Sequence, residues 1–172
     1  MHKDILLEIG TEEIPARFIP AAITGIKDTS ERLLQENRIH YKDITVYGTP
    51  RRLALIVREA EEIQEDIVIE VSGPPKSAAY GADGTPTKAA VGFAKSQGID
   101  ISQLKIRHTD KGEYLFAEKH ENGKKTKDVL PLLLQNLLSS IVLPKSMRWN
   151  DTRVRFARPL RWLLSIYCAE VI

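Results

Sequence analysis

Six basic residues fall between Leu143 and Trp162 (Lys145, Arg148, Arg153, Arg155, Arg158 and Arg161) with Asp151 as the single acid, so this stretch carries a formal charge of +5. The rest of the 172-residue chain carries −3. Guanidinium groups are planar, permanently charged and able to donate paired hydrogen bonds, which suits phosphate oxygens. Trp149, Phe156 and Trp162 interleave with the arginines and offer flat surfaces on which bases or guanidiniums stack. Contact with a nucleic-acid backbone is one reading. The other makes the aromatics core and the arginines a solvated or intersubunit face, because a net charge of +2 lacks the overall basicity usual for nucleic-acid modules.

Gly10-Thr11-Glu12-Glu13 lies between an apolar run and a helical pattern. The paired acids could hold an amine, a cation or a basic partner surface. Capping is the plainer account: acids in a helix's first turn interact with its dipole by about 0.3 to 1 kcal/mol. Residues 73–84 are rich in Gly and Pro near Lys76 and Lys88, yet neither GxxxxGK[ST] nor GxGxxG is present, so a phosphate cradle is not supported. His2, His40, His108, His120 and Cys168 lack clustered ligand spacing. There is no GxSxG elbow, and Cys168 sits in an apolar run where it reads as a core hydrophobe.

The elements that must position these residues follow from periodicity and punctuation. Asp4 to Ile9 reads as a buried strand. Thr11 is a plausible N-cap for a helix to about Arg38, with Ile14, Phe18, Ala22, Ile26, Leu33 and Leu34 on its apolar side. Pro20 and Gly25 argue for a kink or break. Ile44 to Tyr47 and Arg52 to Val57 flank a GTPR turn, and Ile67 to Val71 extends them into an expected three-stranded meander. Thr85 and Pro86 open a short helix ended by Gly98. Leu104 to His108 and Tyr114 to His120 pair as a hairpin across TDKG. Thr126 to Val142 is the clearest amphipathic helix, with Val129, Leu133, Leu137, Leu138 and Ile141 on one stripe. The final segment from Pro159 through Tyr167 fits either a helix or a buried strand.

The expectation is an α+β fold of antiparallel strands with packed helices. It divides into a strand-helix-meander lobe (1–72), a flexible Gly/Pro loop (73–85) and a helix-hairpin-helix lobe with a basic carboxyl-terminal segment (86–172). Apolar residues make up 42% and charged residues 28% of the chain, the composition of a globular protein. No stretch reaches the ~20 apolar residues of a membrane span, so a cytoplasmic protein with no membrane partner is expected. One cysteine leaves no internal disulfide. The chain stops inside an apolar run, which suggests a fragment of a longer polypeptide.

Four strings in order, LLEIGTEEIPARFIPAA, YGTPRRLAL, GPPKSAAYGADGTPTKAAVGFAKSQGI and LPKSMRW with FARPLRWLL, resemble the amino-terminal region of the glycyl-tRNA synthetase beta subunit family across nearly the whole chain. The resemblance implies an ATP-using ligase that joins glycine to its tRNA. That enzyme has two alpha and two beta subunits, with the adenylate-forming site in alpha. It implies as partners the alpha subunit, glycine tRNA and the remaining beta-subunit domains. It carries over no catalytic residue, no metal and no cofactor for this stretch. Two expectations follow. In the first, Arg51, Arg52, Lys145, Arg148, Arg155, Arg158 and Arg161 bind tRNA phosphates. In the second, the same surfaces dock onto protein with no direct RNA contact.

Overall fold

The structure is a computed structural model that describes residues 2–81, 83–149 and 155–172. The elements run β1 (His2–Thr11), α1 (Ile19–Glu36), β2 (Asp43–Thr49), β3 (Arg52–Glu61), β4 (Ile67–Pro75), α2 (Lys76–Ala79), α3 (Lys88–Gln97), β5 (Lys105–Thr109), β6 (Gly112–Glu121), α4 (Thr126–Ser140), β7 (Met147–Arg148), β8 (Arg155–Phe156), β9 (Leu160–Tyr167) and β10 (Glu170–Val171). Short 3-10 turns precede α1 and β5. The strands pair antiparallel, and the fold is α+β. The contacts divide the chain into unit 1, residues 1–65 with 123–172, and unit 2, residues 66–122.

Unit 1 is built on a five-stranded sheet in the order β10-β9-β1-β3-β2. Alternation decides its faces. Ile5, Leu7 and Ile9 of β1 and Leu53, Leu55 and Val57 of β3 point inward and are buried. They form one core with Ala22, Ile26, Leu33 and Leu34 of α1 and Leu130, Leu133, Leu134 and Leu137 of α4. Each Ile, Leu or Val side chain among them contributes about 1.5 to 3 kcal/mol on removal from water. Opposed residues share a face, so Leu6, Glu8 and Gly10 lie on the outer face with Ile56, Ala54 and Arg52 of β3 and Ile166, Leu164 and Trp162 of β9.

At the far end of β1 the register with β3 shifts between Lys3 and Ile5. There Glu59 takes a positive φ of 51°. Asp4 accepts the Glu59 N–H at 2.9 Å and pairs with Arg58. Those two bonds, the backbone one first, hold the Asp4 carboxyl below the ordinary aspartate range.

Unit 2 is a three-stranded sheet, β4-β6-β5, with α2 and α3 on one face. Its buried core is small: Ala79, Ala90 and Leu115, with Tyr80, Phe93 and Leu104 packed around them. Helix α3 is capped by Thr87, whose hydroxyl accepts the Ala89 N–H at 3.2 Å, and Gly98 closes it in the left-handed conformation.

Several sequence expectations change. The third strand of the meander, Ile67 to Val71, pairs with β6 instead, because both edges of β3 are taken by β1 and β2. The loop expected at 73–85 is partly ordered structure, the end of β4 and the turn α2. The linear lobes 1–72 and 86–172 therefore cross the observed units. Thr87, not Thr85, caps α3, while Thr85 bonds to Asp83. Pro20 falls in the first turn of α1, where its missing N–H costs nothing, so it does not kink the helix. The open choice for the last segment resolves to strand β9, paired to β1. Cys168 is exposed in the turn between β9 and β10 at φ 59°, so it is not a core residue.

Candidate nucleic-acid interface

Three segments meet where β1 ends. The Thr11 N–H donates to the Arg51 carbonyl at 3.0 Å, the Ile14 N–H to that of Pro50, and the Glu12 N–H to that of Pro159 at 3.0 Å. Thr49 and Arg52 are opposed across the two-residue turn Pro50-Arg51, which fixes the GTPR string as a tight hairpin connection. Thr11 is the last residue of β1, and α1 begins only at Ile19. Glu12 and Glu13 therefore do not sit in a helix's first turn, and the dipole account of them does not hold.

Their partners are arginines. Glu12 faces Arg161 at 3.3 Å and Glu13 faces Arg51 at 3.6 Å. Arg158 donates its Nε–H to the Glu13 carbonyl at 3.0 Å. Arg161 is the extra residue where the β1–β9 register shifts, Gly10 opposing Trp162 and Thr11 opposing Leu160. A bulge of this kind turns a side chain out of the ladder.

A second arrangement lies on the outer sheet face beside it. Trp162 donates its indole N–H to Glu8 Oε1 at 2.9 Å, and Arg52 Nε approaches the same oxygen at 3.5 Å. The Arg52 guanidinium also lies 5.8 Å from the Trp162 ring centre, within the range of a cation–π contact. The indole is laid on Gly10: a Cβ there would stand 2.1 Å from the ring carbons. Only glycine lets the strand backbone and the ring approach this closely.

The two sets of acids differ in setting. The Glu8 side chain is 20% exposed and bonded by two partners, whereas Glu12 and Glu13 are 45% and 69% exposed and face one guanidinium each. Exposed single pairs of the latter kind contribute about 0 to 1 kcal/mol.

The remaining cations are Arg148 and Arg155 on the ribbon β7–β8 and Lys145, two residues before β7. Phe156 is buried as a core anchor, and Trp149 donates its indole N–H to the Phe156 carbonyl at 3.0 Å. Trp149 is 40% exposed. Arg148 and Arg155 are opposed across the ribbon. Both are exposed, as is Lys145, and among the described residues none of the three has an ion-pair partner. Arg153 and Asp151 of the basic window lie outside the described residues.

The structure thus gathers Arg51, Arg52, Arg158 and Arg161 at one corner of unit 1, each with a protein acceptor, whereas Lys145, Arg148 and Arg155 have no ion-pair partner among the described residues. Reading the sequence missed Glu8. Its signal was a lone acid inside the apolar run LLEIG, at an outward position. Polar surface also surrounds a cleft of about 550 Å³ at the carboxyl end of α1, lined by Glu31, Gln35, Arg38, Ile39, His40, Tyr41 and Glu65; it includes none of the seven cations. No helix of the described residues is long and apolar enough to cross a membrane.

The family model described as glycyl-tRNA synthetase beta subunit matches residues 5–172. Over all 172 residues the chain is 49% identical to the glycine–tRNA ligase beta subunit of Syntrophus aciditrophicus, 48% to that of Moorella thermoacetica and 50% to that of Citrifermentans bemidjiense. It covers 25% of each of those proteins, so it spans about a quarter of the length of the relatives it matches. The Gly-Thr-Glu-Glu corner and the arginine ribbon both fall within the matched residues, and the chain belongs to the glycyl-tRNA synthetase beta subunit family.

Proposed function

We propose that this chain is an accessory, non-catalytic amino-terminal part of the beta subunit of a glycine–tRNA ligase and holds tRNA phosphates on the β7–β8 ribbon. In this reading the ATP-dependent joining of glycine to tRNA takes place on the alpha subunit. The carrying observation is the opposition of Arg148 and Arg155 across a two-stranded ribbon, with Lys145 nearby and no acid paired to any of them among the described residues. Like charges directly opposed destabilise a strand pair. A phosphodiester seated between the two guanidiniums removes that repulsion and gains charge-assisted hydrogen bonds. Trp149, half-exposed beside them, supplies a ring for a base or ribose.

The test is tRNA binding by the assembled alpha–beta enzyme across salt concentrations, with Lys145→Gln, Arg148→Gln and Arg155→Gln combined. Three lost phosphate contacts lower the slope of log K against log salt by about 2 to 3. An unchanged slope and affinity rejects the ribbon.

A second reading, docking onto the alpha subunit or other beta domains, is favoured by the outer sheet face. Val171, Ile166, Leu6 and Ile56 are opposed in one row across four strands, and Trp162 and Val171 are 43% and 75% exposed. Contiguous apolar surface of this kind marks interaction sites. Val171→Glu with Ile166→Lys should then weaken co-purification of alpha while leaving the salt slope for tRNA intact.

A further inference from the structure

We propose that Glu12 and Glu13 set the selectivity of this surface for RNA: in the free protein they occupy Arg161 and Arg51, and they release them only to a phosphate backbone already engaged at β7–β8. The proposal rests on the ribbon reading above. A carboxylate offers a guanidinium the same planar pair of acceptor oxygens that a phosphate does, so an acid beside an arginine is a competitor for any RNA.

The geometry separates an exchangeable pair of acids from a fixed one. Glu8 is held by the Trp162 indole and by Arg52, whose guanidinium is itself in cation–π range of that ring. It does not leave without dismantling the outer face. Glu12 and Glu13 touch their arginines through single contacts at 3.3 and 3.6 Å, and the side chains on both sides are between 45% and 70% exposed. Their main chain, by contrast, is fixed by the Glu12 and Ile14 amide bonds and by Arg158 on the Glu13 carbonyl. The carboxylates are therefore tethered next to the guanidiniums at high local concentration, yet free to rotate into water.

A loosely bound RNA must displace two tethered carboxylates and gains little. An RNA whose backbone is already seated on Lys145, Arg148 and Arg155 is itself held nearby. Only Ala157 separates Phe156 of the ribbon from Arg158 at the corner, so a backbone anchored at one reaches the other without a second encounter. Effective concentration then favours phosphate over carboxylate.

The experiment compares the assembled enzyme with Glu12→Gln/Glu13→Gln against glycine tRNA, whose folded backbone holds the neighbouring phosphate in place once the ribbon is engaged, and against poly(U) of equal length, whose flexible chain seats on the same ribbon but presents that phosphate at lower effective concentration. Poly(U) affinity should rise about tenfold and its salt slope should steepen by about 1.5, while tRNA affinity rises less than about threefold. The charge-matched control Glu31→Gln/Glu36→Gln removes two acids that pair within α1 and should move both RNAs equally and less. Gains equal to that control, or alike for both RNAs, overturn the proposal. The converse variant Arg51→Gln/Arg161→Gln guards against a misfolded double mutant. It should lower tRNA affinity about tenfold and leave poly(U) nearly unchanged, and equal losses for both overturn the proposal. Failure of the ribbon reading is distinct, because it is read from the Lys145, Arg148 and Arg155 variant alone.

Discussion

The corner at the end of β1 and the β7–β8 ribbon both present arginines, but those of the corner have acceptors and those of the ribbon have no ion-pair partner among the described residues. At the corner, Glu8, Glu12, Glu13 and a main-chain carbonyl answer Arg52, Arg161, Arg51 and Arg158. On the ribbon two arginines oppose each other, and the described residues hold no ion-pair partner for them. A count of basic residues treats these groups as equal. Their surroundings say that the corner first holds three chain segments together, while the described residues around the ribbon leave its charge unpaired.

The largest way to break this contrast is Gly10→Val, which drives a side chain into the Trp162 ring. Overpacking there should destabilise the protein by about 3 kcal/mol, read as a fall in thermal midpoint, with loss of the Arg52 and Glu8 contacts. Retained stability would mean the indole is not seated on the strand.

A sharper test reverses the sign between stability and binding. Arg155→Glu places an opposite charge across from Arg148 and should stabilise the ribbon by about 0.5 kcal/mol, measured by thermal unfolding. The same change should lower tRNA affinity about tenfold or more. A variant that loses both, or keeps both, removes the distinction drawn above.

Asp4 and Arg58, at the opposite end of β1 and β3, provide a reference pair with no proposed RNA role. The Asp4 carboxyl titrates below the ordinary range when folded. Its stabilisation is therefore complete above the unfolded value near 3.9 and is lost as pH falls through the depressed folded value. Asp4→Asn should cost about 1 kcal/mol at neutral pH and flatten the acid limb of stability below about pH 4. Equal acid sensitivity in the variant would refute this assignment. The smallest effect belongs to Glu13→Gln, within about 0.5 kcal/mol of the parent by denaturant midpoint; a clearly larger loss would make its arginine pair a structural bond.

Local pattern was legible in the sequence wherever one element decided its own fate. The strand over Asp4 to Ile9, the TDKG hairpin and the Gly98 helix end all stand as expected. In α4 the helix is present, but its buried stripe is Leu130, Leu133, Leu134 and Leu137, with Val129 and Leu138 at its margin. What could not be read is pairing at a distance. Strand Ile67–Pro75 has the composition of a meander strand, and only the occupancy of both edges of β3 sends it elsewhere. The same holds at the corner. Arginine chemistry was visible in residue types, but Glu12 meets Arg161 and Glu8 meets Trp162 across about 150 intervening positions, a separation that no local signal spans.

The place where residues 66–122 leave and rejoin unit 1 has a consequence for how the chain can be edited. The Gln64 N–H donates to the Lys124 carbonyl, the Lys124 N–H donates back to the Gln64 side chain, and Thr126 bonds to the Glu62 carbonyl. Gly123 is pressed so close to Gln64 that a Cβ would overlap its carbonyl oxygen. The two ends are thus clasped by unit 1's own bonds. To that unit the intervening residues are a long detour. Replacing them with a four-residue turn shortens the closed loop more than tenfold and lowers its closure cost by about 2 kcal/mol. Unit 1 therefore has the makings of a continuous minimal scaffold, joined from Glu65 to Gly123, with its corner and its ribbon both retained.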